Sequence, residues 1–263
     1  MNTTERITMR LGFVGTGVIT EAIVNGLLKV GAPFDRIALS NRNARKAAAL
    51  AAQDERISVC ETNQDVLDQS DVVCLAVIPQ IAHDVIAELK FAPSHRVISF
   101  IAGMKMDELR RAMPNVDSIV RAIPLPAVAD ALGSTTLFPQ DGVARDLFSR
   151  LGVAVEVENE HQFDCISAAT ATMASFYAVL ESQAQWLVQQ GLAYDKARAF
   201  LSGYSRGLAH GTASGAPFDE LIRHCMTPGG INEQVHLELT DRGNYGQYQE
   251  ALTRVLNRIE GTS

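Results

Sequence analysis

The first apolar run of the chain, Leu11–Val14, leads straight into Gly12-Phe13-Val14-Gly15-Thr16-Gly17-Val18-Ile19-Thr20 and then a helical pattern. No other stretch narrows the possible folds as much. A glycine at Gly15 permits a tight turn, and one at Gly17 lets backbone N–H groups approach a pyrophosphate at the start of a helix. The third small position of G-x-G-x-x-G is Thr20, a departure expected to cost some helix–strand packing. A lone motif of this kind is weak, and its context decides between a dinucleotide site and a structural glycine turn. Here the context is a strand–helix junction at the start of an alternating series.

That series fills the first 160 residues. Strand-like runs are expected at Leu11–Val14, Arg36–Leu39, Ile57–Val59, Asp71–Val77, Arg96–Ile101, Ser118–Arg121 and Ala154–Val157. Asp71–Val77 is almost continuously apolar, as a strand covered on both faces should be. Amphipathic stretches lie between the runs, for example Ala22, Ile23, Gly26, Leu27 and Val30. Alternation of this kind implies βαβ units and a parallel, doubly wound α/β sheet. After about Glu160 only helical patterns remain. Asp164–Gln190 contains no Pro or Gly and is expected as one long helix, followed by helices over Tyr194–Ala213, Phe218–Cys225, Gly230–Leu239 and Tyr245–Ile259. Two domains follow from this, a nucleotide-binding one over residues 1–160 and an all-helical one over 161–263.

The 263 residues carry 23 Lys+Arg against 30 Asp+Glu, a net charge of −7, which argues against a nucleic-acid or anionic-membrane partner for the surface as a whole. Cys60, Cys74, Cys165 and Cys225 show no CxxC spacing and the histidines form no HExxH, so free thiols and no metal site are expected. Met1–Arg10 lacks the apolar core of a signal peptide, and no uninterrupted apolar run reaches membrane-span length. A cytoplasmic location is the expectation.

The end of the second strand selects the cofactor. NAD sites place Asp or Glu there for the ribose 2′-hydroxyl. This chain has Ser40-Asn41-Arg42 and then Arg45, with no carboxylate. Hydroxyl, amide and guanidinium groups suit a 2′-phosphate, so NADP(H) is expected over NAD(H). The competing reading makes Asn41 and Arg42 an ordinary turn and solvated helix start.

With these residues in place the chain resembles the pyrroline-5-carboxylate reductases from Arg10 to about Glu260. Gly12–Gly17 is similar to the family's GFIGxG and Ser40-Asn41-Arg42 to its NADP-selecting turn. Asn63, and Val77-Ile78-Pro79-Gln80, resemble the asparagine and AVKPQ segment of the cofactor cleft. Ser99–Gly103, with Ala102 and Gly103, followed by Arg121 and Pro124, resembles the SxxAG and RxMPN strand ends. Thr227-Pro228-Gly229-Gly230, followed by Ile231, resembles the SPGG turn. The resemblance implies a Rossmann domain, a helical domain that dimerises by interleaved helices with higher oligomers possible in the family, NAD(P)H as cofactor, and reduction of a cyclic imine carboxylate to an amino acid such as proline.

The departures fall where substrate is expected. Thr170-Ala171-Thr172-Met173-Ala174-Ser175-Phe176 stands for SGSGPAY, Asn232 for the final threonine of SPGGxT, Leu125 for the asparagine of RxMPN and Ile78 for the lysine of AVKPQ. A reduced iminium needs its carbon held over the nicotinamide, its carboxylate anchored and a polar group near nitrogen. The turn Thr227–Ile231 fits the anchor, since N–H groups at a helix start bind anions. Asn232, Thr170 and Thr172 are the candidate catalytic polar groups. The plainer alternatives are a surface amide at Asn232 and threonine hydroxyls bonded to their own helix backbone. Glu181 and Glu233 are read as paired or solvated carboxylates, His224 as a partly buried helix residue, and Tyr177 and Trp186 as packing or dimer contacts.

Three rivals remain at this stage. A β-hydroxyacid dehydrogenase needs a lysine on the long helix, and none lies between Lys105 and Lys196. A reductase of a different imine, and a non-catalytic NADP-binding protein derived from the family, both accommodate the altered positions.

Overall fold

In the computed structural model, which describes residues 9–262, strand β1 (Arg10–Val14) lies parallel between β2 (Arg36–Ser40) and β4 (Val72–Leu75). Strand β3 (Ile57–Cys60) extends the sheet beyond β2, and β5 (Arg96–Ser99) and β6 (Ser118–Pro124) extend it beyond β4, all parallel. The connections are helices α1 (Val18–Lys29), α2 (Ala44–Ala51), α3 (Asn63–Asp68), α4 (Pro79–Ala87) and α5 (Met106–Ala112). The order 3-2-1-4-5-6 reverses between β1 and β4, the crevice where doubly wound sheets bind their ligands.

Alternation along the strands explains why both faces are covered. Leu11, Phe13, Ile37, Leu39, Val72 and Cys74 face Ile23 and Leu27 of α1 and Leu50 of α2. Val14, Ala38, Val73, Leu75 and Val97 face Leu67, Ile86 and Leu109 of α3, α4 and α5. Full burial of one such side chain contributes about 1.5–3 kcal/mol, and two layers of them make a core that needs nothing further. Burial also pushes the Cys74 thiol far above its ordinary range, so it packs as a small apolar group.

One strand is absent from the sequence expectation. β7 (Gly133–Phe138) runs antiparallel to β6, and β8 (Gly152–Glu156), reached through α6 (Gly142–Ser149), runs parallel to β7. The run Gly-Ser-Thr-Thr-Leu-Phe opens with turn-forming residues and lies among Pro124, Pro126 and Pro139, so it reads as a loop. Tertiary pairing overrides that: Thr135 and Thr136 are buried in the sheet. The ladder is so close that a Cβ on Gly152, whose φ is +136°, would lie 2.0 Å from the Gly133 carbonyl oxygen. The other expected strands are present with ends shifted by one to three residues.

The chain divides into a compact unit through Ile166 and a second from Ser167. The second is helical throughout among the described residues. The expected single helix over Asp164–Gln190 is instead α7 (Glu160–Thr170) and α8 (Met173–Gln189). Between them the Ala171 and Thr172 N–H groups bond to carbonyls three residues back, at Ala168 and Ala169. The Thr170 and Thr172 hydroxyls donate to the carbonyls of Ser167 and Ala169. Such short bonds tighten the helix into a turn. Gly191, at φ +93°, ends α8, and α9 (Tyr194–Thr212), α10 (Phe218–Cys225), α11 (Ile231–Asp241) and α12 (Asn244–Glu260) follow. By length and composition alone residues 160–189 match a membrane span, but they form two helices of 11 and 17 residues, each short of the roughly 20 that a bilayer needs. Their apolar residues are interspersed with uncharged polar ones, which a count of contiguous runs overlooks.

Candidate active site

The predicted cofactor residues of the first unit collect at one edge of the sheet, the carboxyl ends of the parallel strands. Gly15, Thr16, Gly17, Val18 and Ile19 join β1 to α1. Ser40, Asn41 and Arg42 end β2, and Asn63 begins α3 after β3. Val77, Ile78 and Pro79 join β4 to α4, while Ala102 and Gly103 follow β5. Gly15 has φ +104°, and a Cβ there would lie 2.5 Å from the Ala76 carbonyl oxygen, so the turn admits only glycine. At Gly17 a Cβ would meet nothing within 4 Å. Gly17 caps α1 with no side-chain hydrogen bond, so no capping side chain takes the first N–H groups of this 12-residue helix. That cradle fits a phosphate.

Thr20, expected to cost some helix–strand packing, instead fits the junction. It is fully buried and its hydroxyl donates to the Gly15 carbonyl at 2.6 Å. Ser40 is buried too: its Oγ accepts from the Gly15 N–H at 2.8 Å, and its carbonyl accepts from the Thr16 hydroxyl at 2.6 Å. Beyond it, the Asn41 amide donates to the Glu61 carbonyl at 3.0 Å. Arg42 and Arg45 are exposed.

Behind the Ala102–Gly103 loop lies an ion cluster that sequence reasoning missed. Arg121 donates to Glu160 at 2.6 Å and lies 3.5 Å from Asp164, with its guanidinium 4.3 Å over the Phe163 ring. Lys105 pairs with the same Asp164. Glu160 also accepts the Met106 N–H at 2.8 Å, capping α5, whose own cap residue Lys105 offers no acceptor. Strand β7 brings these groups together. Leu137 pairs with Ala122 on one side and Glu156 on the other, so β8 ends level with Arg121 and delivers Glu160 and Asp164 beside it.

In the second unit Thr170 and Thr172 stand at the turn between α7 and α8, their hydroxyl protons committed to backbone carbonyls. Thr227, Pro228, Gly229 and Gly230 form the turn before α11, closed by Gly230 N–H to the Thr227 carbonyl at 2.8 Å. Gly229 has φ +72°. Its N–H is already taken by the Glu233 carboxylate at 2.7 Å, so an incoming anion meets a resident one. Ile231 and Asn232 are exposed. A cleft of about 670 Å³ lies along α8 and α9, lined by Phe176, Tyr177, Glu181, Tyr194, Arg198 and Arg206 among others. Hydrogen bonds from Gln185 and Tyr194 hold the Glu181 carboxyl below the usual carboxylate range, which keeps it charged and unsuited to donate a proton.

Residues 10–103 match a family model described as NADP oxidoreductase coenzyme F420-dependent, and residues 160–262 match one described as pyrroline-5-carboxylate reductase dimerisation. The pyrroline-5-carboxylate reductase of Pasteurella multocida is 31% identical over 209 residues, covering 75% of this chain and 76% of that one. The chain belongs to the pyrroline-5-carboxylate reductase family. The pyrroline-5-carboxylate reductase structure from Coxiella burnetii shares its fold with a TM-score of 0.86 at 24% identity, over 97% of this chain and 99% of that one. The pyrroline carboxylate reductase of Plasmodium falciparum, solved with NADP bound, gives 0.78 at 18% identity, covering 97% and 98%.

Ile78 is 55% exposed at the start of α4, and Leu125 is half-buried just past β6. The signal for the hydroxyl contacts around Gly15 was present in the sequence as Thr20, the residue that broke the glycine pattern. The ion cluster left no comparable signal, because Lys105 and Asp164 are 59 residues apart.

Proposed function

We propose that this chain reduces the C=N bond of a cyclic imine carboxylate with NADPH, as a homodimer, giving proline or a related amino acid. The observation that carries the reading is the edge of the first unit. There, a glycine turn opens onto the uncapped start of α1, and Asn41 and Arg42 follow β2 with no carboxylate to meet a ribose 2′-hydroxyl. Gly15, Thr16, Gly17, Val18 and Ile19 would hold the pyrophosphate, and Asn41 and Arg42 the 2′-phosphate. Asn63, Val77, Ile78, Pro79, Ala102 and Gly103 would line the remainder of the cofactor. When bound, NADPH supplies a hydride to the imine carbon; the iminium nitrogen already carries its proton, so the product amine forms without a separate acid.

In the helical unit, Thr227, Pro228, Gly229, Gly230 and Ile231 would anchor the substrate carboxylate, displacing Glu233 from the Gly229 N–H. Asn232, Thr170 and Thr172 are the polar groups assigned to the imine nitrogen. The homodimer is supported by the dimerisation model over residues 160–262 and by the exposed apolar residues of that unit.

The test is NADPH oxidation with pyrroline-5-carboxylate, pyrroline-2-carboxylate, piperideine carboxylates and simple keto acids. Turnover of a cyclic imine is expected; turnover only of keto or hydroxy acids overturns the reading. Ile78, Leu125 and Asn232 keep a different imine as the alternative substrate, and the same panel decides it. Tight NADPH binding with no turnover across the panel would mark a non-catalytic member instead. Arg42→Asp is expected to raise the KM for NADPH far more than that for NADH, since it replaces phosphate's partner with a like charge. An unchanged preference removes the case for NADP.

A further inference from the structure

We propose that Ser40, Thr16 and Thr20 form a buried hydroxyl bracket that locks the turn after β1 to the end of β2, and that Ser40 is a positioning residue and not a phosphate ligand. The inference rests on the reading that these two turns hold NADP(H).

The β1–β2 ladder ends at the pair Phe13–Leu39, before either turn begins. From there the strands are held by side chains. Gly15 has both backbone polar groups committed, its N–H to Ser40 Oγ and its carbonyl to Thr20 Oγ1. Thr16 ties the next residue to the Ser40 carbonyl. With the Thr16 proton used there, the 3.3 Å contact between the Thr16 and Ser40 hydroxyls takes the proton of Ser40. No donor on Ser40 is left for a phosphate. The three hydroxyl residues are each at most 3% exposed, and their hydrogen bonds are made within the protein, where an unmade one is costly.

The consequence separates Ser40 from its neighbours. Gly15 shapes the turn that faces the pyrophosphate, a group common to NADPH and NADH, whereas Arg42 faces the 2′-phosphate found only in NADPH. A bracket acting on Gly15 therefore affects both cofactors alike. A serine that bound the 2′-phosphate would affect one.

The experiment measures dissociation constants for NADPH and NADH by calorimetry on the full chain carrying Ser40→Ala, Thr20→Val, Thr16→Val and Thr16→Ser, with the melting temperature of each free protein. Ser40→Ala and Thr20→Val are expected to weaken both cofactors by about tenfold, the equivalent of one buried hydrogen bond, with their ratio held within about twofold. Thr16→Ser, which keeps the hydroxyl, is expected to bind like the parent, and Thr16→Val is not. Selective loss of NADPH in Ser40→Ala would make it a phosphate ligand and overturn the proposal. A lowered melting temperature with both constants unchanged would also overturn it, since the contact would then serve stability alone. Arg42→Asp, run alongside, keeps the two ideas apart. If its cofactor ratio does not move while Ser40→Ala weakens both cofactors, the NADP reading fails and the bracket stands.

Discussion

Up to Ile166 the chain buries both faces of an eight-stranded sheet, with Phe13, Ile37, Leu39, Leu75 and Ile98 all out of contact with water. From Ser167 onward, among the described residues, only Ala168, Ala184, Ala197 and Leu201 of the apolar side chains are buried. Phe176, Tyr177, Trp186, Phe200, Phe218 and Ile231 are each more than half exposed. Helices α10, α11 and α12 bury no residue at all. The first unit draws its stability from within itself; the second has the surface of a core without its other half. If a second copy covers that surface, the unit gains stability by mass action, and its behaviour should then depend on protein concentration where the first unit's should not.

The sharpest test of this difference lies in the ion cluster. Arg121→Met leaves the carboxylates of Asp164 and Glu160 short of a partner, and Asp164 is buried. The expected loss is about 3–5 kcal/mol, measured by urea unfolding, with the same value at every protein concentration. A concentration-dependent loss would mean that the first unit is not self-sufficient. Phe200→Ala comes next. Phe200 stacks on Tyr204, with ring centroids 6.1 Å apart, and is 63% exposed. If a second copy covers this face, truncation should weaken association by about 2 kcal/mol in sedimentation equilibrium. If nothing covers it, the change should stay within about 0.5 kcal/mol.

The smallest effect belongs to an exposed contact of the first unit. The Arg56 guanidinium holds the Asp54 carboxyl down to about 2. A lowered carboxylate stabilises the fold above its unfolded value of 3.8 and loses that contribution as pH falls toward 2. Asp54→Asn should therefore cost stability above about pH 4 and match the parent near pH 2. Water screens the pair, so the difference should be under about 1 kcal/mol. An equal deficit at both pH values would assign the loss to packing of Arg56 over Phe34 and not to charge.

The contrast also governs what could be read from sequence. The central strands announced themselves because a strand buried on both faces must be apolar at nearly every position, as Val72–Leu75 is. The glycine turn was legible because Gly15 has no substitute. β7 was not, since Thr135 and Thr136 owe their burial to pairing with β6 and β8 and not to their own character. The break at Ala171–Thr172 was hidden as well, because threonine hydroxyls reshape a helix without interrupting its apolar spacing. In the helical unit the pattern predicted which residues are apolar but not that they would stand exposed within one chain. Periodicity marks a face, and what lies against that face is a separate matter.

All five tyrosines (Tyr177, Tyr194, Tyr204, Tyr245 and Tyr248) and the single tryptophan, Trp186, lie beyond Ser167. The nucleotide-binding unit has neither. Ultraviolet absorbance near the tyrosine and tryptophan bands, and the emission that follows it, therefore come from the helical unit alone. The protein is optically divided along the same line that divides its packing. Dilution that strips a partner from the helices should change that emission while leaving the far-ultraviolet signal of the sheet in place, without a label on either half.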